Sequence, residues 1–75
     1  MKVFEIVPTV DYFGGVALVA ADNTNVAISL WKEYYEQNEQ LWVNGKCNIF
    51  ENKDIIANTD IPKVLIDAIF DTSWW

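Results

Sequence analysis

Hydrophobic and polar residues alternate near the start of the chain, and a second apolar run follows soon after. Between residues 2 and 10, Phe4, Ile6 and Val10 lie on one side of a period of two, and Glu5 lies on the other. That alternation predicts a β-strand with one buried face.

Three features beside this first strand extend the prediction. Pro8 has no N–H to donate to a sheet, which favours an edge position or a bulge at that residue. Residues 11–15 end in two glycines and predict a turn. Residues 16–21 are apolar on both faces and rich in small side chains, which predicts a central strand with a helix packed closely against it.

The period lengthens after residue 21 to that of an α-helix. The apolar residues of this segment share one face of such a helix: Val26, Ala27, Leu30, Trp31 and Tyr34. Asp22 and Asn23 both accept hydrogen bonds from a first helical turn, so either residue can be the N-cap. We expect Trp31 and Tyr34 in the core. We expect the helix to end between residues 37 and 40, where polar residues replace the apolar face.

A β-hairpin is predicted in the middle of the chain. Asn44 and Gly45 form a strong signal for a two-residue turn. They stand between two segments of β-like composition, residues 41–43 and 46–50. Residues 54–57 are a candidate for one extra short strand.

The last third of the chain predicts a turn at residues 58–62 and a strand at residues 63–70. One face of that strand would carry Val64, Ile66, Ala68 and Phe70. Asp67 would lie on the other face. A helix through Leu65 and Ile69 is the alternative for this segment.

Together these elements predict a single α+β domain over residues 1–75. The order is β-β-α-β-β, with one extra short strand as an option, and the amphipathic helix packs on one face of an antiparallel sheet. A chain of 75 residues has no room for a second domain. A hydrophobic content of 52%, with four Trp, three Tyr and four Phe, favours a packed globule over a disordered chain.

The layout resembles that of a loose group of proteins. Residues 4–15, residues 16–22 with Ala27 on the helix, and residues 62–66 near the end are similar to small uncharacterised proteins of gut bacteria and their phages and mobile elements. The resemblance implies an accessory protein without known enzymatic activity. It assigns no site residues.

The charge balance argues against some partners. Eleven acidic residues stand against five basic ones, a net charge of −6, and all five bases are dispersed lysines. Since arginine is the residue best suited to phosphate and guanine contacts, we expect no direct binding to nucleic acid. The longest apolar run is far shorter than the roughly 20 residues that span a bilayer, so we expect no membrane segment. A single cysteine suits a reducing, cytoplasmic compartment.

The residue types present offer little reaction chemistry. Histidine is absent and Cys47 is the only cysteine, which excludes a Cys–His nucleophile, a histidine base and a disulfide within the chain. Carboxylate pairs such as Glu51 with Asp54, or Asp67 with Asp71, occur in any chain with this many acids. We therefore expect no enzymatic activity, no catalytic residue, no metal site and no cofactor.

Aromatic side chains are the candidates for function. Trp74 and Trp75 either fold back over the core or contact a partner, and Tyr35 and Trp42 are further candidates for an interface. We expect a non-enzymatic module that binds another protein, or a second copy of itself as a homodimer. The alternative is an acidic inhibitor that occupies the nucleic-acid-binding surface of a basic partner protein.

Overall fold

The sheet of this protein is organised around its first strand. The computed structural model describes residues 1–72. Its elements, in chain order, are β1 (Lys2–Pro8), β2 (Phe13–Gly14), β3 (Ala17–Ala21), α1 (Thr24–Tyr34), α2 (Glu36–Val43), β4 (Cys47–Glu51), β5 (Lys63–Asp67) and β6 (Phe70–Asp71). The main sheet has four strands in the order β4-β1-β3-β5, and every neighbouring pair is antiparallel. β2 and β6 pair as a second, two-stranded sheet.

The predicted α+β class, with helical structure packed on one face of an antiparallel sheet, is confirmed. The core joins residues of β1, β3, β4 and both helices in one cluster: Phe4, Ile6, Ala17, Val19, Ala21, Ala27, Trp31, Leu41 and Cys47. Within residues 1–72, no helix has the length and apolar character needed to cross a membrane.

The interior position of β1 contradicts the edge position expected from Pro8. β1 pairs with β3 on one side and with β4 on the other. Pro8 is the last residue of the strand, opposite Cys47, and the next amide, that of Thr9, donates to the carbonyl of Lys46 at 2.8 Å. The missing N–H therefore falls where the ladder ends.

The second strand and the start of the helix follow the sequence prediction. β3 is central, and its residues Ala17, Ala20 and Ala21 are fully buried. Asn23 is the N-cap of α1, because its side-chain oxygen accepts from the amide of Val26 at 2.9 Å.

The far end of α1 departs from the prediction. The helix stops at Tyr34, because Tyr35 adopts an extended conformation. Trp31 is buried as expected, but Tyr34 is 62% exposed, so its predicted place in the core is wrong.

A second helix replaces the predicted hairpin. α2 includes the residues expected to form its first strand, and the signal read as a β-turn is the end of that helix. Gly45 has a φ of +66°, its amide donates to the carbonyl of Trp42, and the amide of Lys46 donates to that of Leu41. This is the Schellman arrangement, in which a glycine of positive φ satisfies the last carbonyls of a helix.

The last predicted strand is confirmed over its first five residues, and the helical alternative is excluded there. Its predicted face is wrong. Val64 pairs with Val19 and Ile66 with Leu18, so Leu65 is an extra residue in a bulge. The bulge reverses the alternation, and Asp67 lies opposite Ala17 on the helix side of the sheet. Residues 54–57 form no strand.

The two glycines of positive φ provide a test of this fold. A Cβ at Gly15, where φ is +90°, would overlap the carbonyl oxygen of Ala68, whereas a Cβ at Gly45 would meet nothing within 4 Å. We predict that Gly45→Ala costs about 1–2 kcal/mol of unfolding free energy, the strain of a left-handed backbone conformation. Gly15→Ala should cost roughly 2 kcal/mol more, because the backbone around residue 68 must also move. Chemical denaturation of both variants measures the difference, and equal costs would contradict the close approach of residues 15 and 68.

Candidate functional site

A buried asparagine shapes the corner between the two helices. Asn38, in the first turn of α2, is 1% exposed. Its side-chain Nδ2 donates to the carbonyl of Trp31 at 2.8 Å and to Oδ2 of Asp67 at 2.6 Å. Both partners are acceptors, so the orientation of the amide is fixed. One side chain thus joins the end of α1, the start of α2 and strand β5.

A depression of about 220 Å³ opens above this junction. Its lining residues come from the end of α1, the start of α2 and the region of β5: Tyr34, Tyr35, Gln37, Asn38, Asp67 and Ile69. The two tyrosines are 62% and 58% exposed. Asp67 is half-buried, and its Oδ1 accepts no hydrogen bond from the described residues. The same holds for Oδ1 of Asn38. The depression therefore combines aromatic rings with two oxygen atoms that have lone pairs to offer.

The charge of this depression is negative. The C-terminal end of α1 and the N-terminal end of α2 meet here, and their partial charges, about half an elementary charge each and opposite in sign, offset one another. The carboxylate of Asp67 contributes a full charge, in a chain of net charge −6. The electrostatics favour a positively charged ligand group.

The second candidate surface is the face of the main sheet that carries no helix. Phe50 lies opposite Glu5, Glu5 opposite Leu18, and Leu18 opposite Ile66, which makes one row across all four strands. These side chains point away from the helices, because the residues on either side of Glu5 belong to the helix-side core. Phe50 and Ile66 are each 49% exposed.

One end of this open face is covered. Val3 and Ala20 lie opposite each other in the neighbouring row and are 1% and 0% exposed. The connection from β4 to β5, residues 52–62, crosses the sheet at that end, and the amide of Asn52 donates to the carbonyl of Val3 at 2.8 Å. Glu5 accepts a hydrogen bond from the side chain of Asn52. Phe50 and Ile66, at the two ends of the row, stay about half exposed beside this cover.

The predicted interface residues have different outcomes. Tyr35 lines the depression. Trp42 is half-buried against the core and is not among the residues that line the depression. Trp74 and Trp75 lie outside the described residues. The structure thus places one of the four candidates at a site of suitable geometry.

Sequence reasoning missed four residues that define these surfaces. Asn38 was one polar residue in a polar stretch, and Asp67 was assigned to the wrong face because of the bulge. Phe50 and Ile66 were expected in strands, but only the strand order places them in one row.

Cys47 is the one cysteine of the sequence, and its thiol is free and buried. Burial, and to a smaller extent the negative charge of Asp67, raise the pKa of its thiol above the ordinary value. Residues 1–72 contain no group of three or more acidic or cysteine side chains that could hold a metal ion.

The role of Asn38 can be tested by a double-mutant cycle. Asn38→Ala should lower the unfolding free energy by about 2–4 kcal/mol, because it leaves a buried carbonyl and a carboxylate without a donor. Combined with Asp67→Ala, the cycle should give a coupling energy of roughly 1–2 kcal/mol. Urea denaturation of the four proteins measures it. A coupling near zero would mean that the contact does not stabilise the corner.

We also predict that the buried thiol of Cys47 reacts slowly in the native protein. Native protein should react with a thiol-specific disulfide reagent more slowly than guanidinium-unfolded protein, since burial restricts access and the raised pKa leaves little thiolate at neutral pH. The native rate should increase as pH rises into the alkaline range. Equal rates for the native and unfolded chains at pH 7 would show that Cys47 is accessible.

Comparisons with protein-family models, with curated proteins and with solved structures find no match for this chain. The resemblance to small proteins of gut bacteria and their phages stays a prediction. Function must be inferred from the two surfaces themselves.

Proposed function

We propose that this chain is a non-enzymatic interaction module that binds another protein through the open face of its four-stranded sheet. The observation that supports this proposal is the row Phe50, Glu5, Leu18 and Ile66, which no helix covers.

Three of the four residues in this row are apolar. Both of its ends are strongly apolar and about half exposed, with Leu18 half-buried between them. Val7, on the same side of β1, is also half-buried. Large apolar side chains exposed together beside polar groups are a feature of protein-binding surfaces.

The chemistry of the partner follows from Glu5. Its carboxylate stands in the middle of the row, half-buried, with one hydrogen bond from Asn52. A partner that buries the face must supply a positive group to this carboxylate, because an unpaired buried charge is costly. The occupant we propose is therefore an apolar surface of another protein that carries a lysine or arginine. The net charge of −6 favours such a partner over a second copy of the chain.

The acidic-inhibitor alternative stays a prediction. The acidic side chains that are exposed are spread over turns, helices and the residue 52–62 connection, including Asp22, Glu36 and Asp54. No described cluster of them favours this function over the first one.

The test compares two double variants in capture experiments with lysate of the source cell. Phe50→Ser with Ile66→Ser removes the apolar ends of the row. The matched control, Ile56→Ser with Ile61→Ser, removes two side chains of the residue 52–62 connection that are 91% and 65% exposed. We expect a protein retained by the wild type and the control, retained about tenfold less by the face variant, and weakened by Glu5→Gln. A burial of this size, two large apolar side chains, is worth at least that factor.

Three outcomes would contradict the proposal. The face variant could retain the same protein as the wild type, or the wild type could retain none. Light scattering could also show that the wild type is a dimer which the face variant abolishes, in which case a second copy occupies the face. Circular dichroism of each variant establishes that it is folded.

A further inference from the structure

We propose that the depression between α1, α2 and β5 is a binding site for the cationic side chain of a lysine or arginine on a partner protein. This site lies on the helix side of the sheet, so it is separate from the open face.

Two side-chain oxygen atoms in the depression can accept hydrogen bonds from a ligand. Asp67 uses Oδ2 to accept from Asn38, and its Oδ1 is left for a ligand. Asn38 donates both of its N–H bonds, one to Trp31 and one to Asp67, and its Oδ1 is likewise left over. Asn38 is 1% exposed and lines the depression, and none of residues 1–72 donates a hydrogen bond to its Oδ1. Two acceptors and a negative charge call for a ligand that only donates.

The aromatic rings of the depression favour an organic cation as the ligand. Tyr34 and Tyr35 line the same depression and are more than half exposed, so their rings are accessible to a ligand. Aromatic faces attract ammonium and guanidinium groups through the ring quadrupole, by about 0.5–1 kcal/mol at exposed sites. A metal ion would gain little from the tyrosine rings. An organic cation can use both the rings and the carboxylate.

The size of the depression fits a side chain. About 220 Å³ is too small for a folded element but accommodates the end of one lysine or arginine. The apolar stem of such a side chain has Ile69 to contact at the same place. The net charge of −6 favours the approach of a basic partner to this site.

A purely structural role for Asp67 is the competing explanation. The carboxylate would then serve only to hold Asn38 and the helix corner. That role accounts for Oδ2 of Asp67 but not for the two Oδ1 atoms, to which none of residues 1–72 donates, or for the exposed tyrosines. The two explanations differ in one measurable property, the binding of a cation.

The test is a titration of isotope-labelled protein followed by two-dimensional amide NMR. The probes are arginine and lysine with acetylated amino and methylamidated carboxyl ends, and the neutral control is norleucine capped in the same way. We expect saturable shifts of the Asn38 side-chain amide and of the Tyr34 and Tyr35 backbone amides with a cationic probe. A dissociation constant on the order of millimolar is expected for one side chain. The norleucine control should give no saturable shift.

Variants assign the binding to the depression. Asp67→Asn keeps the shape and an acceptor for Asn38 but removes the charge, and it should weaken binding about tenfold. Asp60→Asn is the matched control, since it makes the same change in net charge at an exposed residue in the loop before β5, and binding should change less than twofold. Tyr35→Ala should weaken binding about two- to fivefold. Because Tyr35 is exposed, this variant keeps the proposal testable if Asp67→Asn does not fold.

Three results of this titration would overturn the proposal: no saturable shifts with either cationic probe, equal shifts with norleucine, or equal weakening of binding by Asp67→Asn and Asp60→Asn. A fourth result concerns the source of the cation. If agmatine, the free guanidinium amine, binds while both capped residues do not, the site recognises a small cation and not a protein side chain. Failure here would leave the open sheet face untouched, since none of these residues belongs to its row.

Discussion

The structure depends on one buried amide. Asn38 satisfies a carbonyl at the end of α1, stands in the first turn of α2 and holds Asp67 of β5 at 2.6 Å. A helix that ends in the middle of a protein leaves carbonyl groups without donors, and here a side chain from the next helix supplies one of them. Because Asn38 turns inward, the chain just before it runs along the surface.

The two faces of the main sheet are covered unequally. Two helices of eleven and eight residues pack on one face, and no helix of the described residues packs on the other. The residue 52–62 connection covers the end around Val3 and Ala20, while Phe50 and Ile66 stay about half exposed. A domain of this length buries a smaller fraction of its surface than a larger one. Binding a partner is the use we propose for the open face.

The parts predicted from sequence are those governed by local patterns. The N-cap at Asn23, the small residues of β3 and the apolar face of α1 all follow from rules that act over one or two turns of chain. The sequence did not predict α2, because a glycine of positive φ occurs both in hairpin turns and at helix ends. The pattern around Gly45 predicted a hairpin turn, whereas Gly45 ends a helix. The face of Asp67 was missed because a period of two assumes an unbroken strand, and the bulge at Leu65 adds one residue. Of the site, Tyr35 was predicted, while Asn38 gained its role only from contacts distant in sequence.

That bulge also distinguishes the two outer strands of the sheet. β5 presents an irregular hydrogen-bonding edge, which blunts the addition of a further strand. β4 presents a regular edge of five residues without proline or lysine. Lateral growth of the sheet is thus open on one side and obstructed on the other. Two copies that met through β4 would leave β5, the strand with the bulge, at each outer edge of the joined sheet.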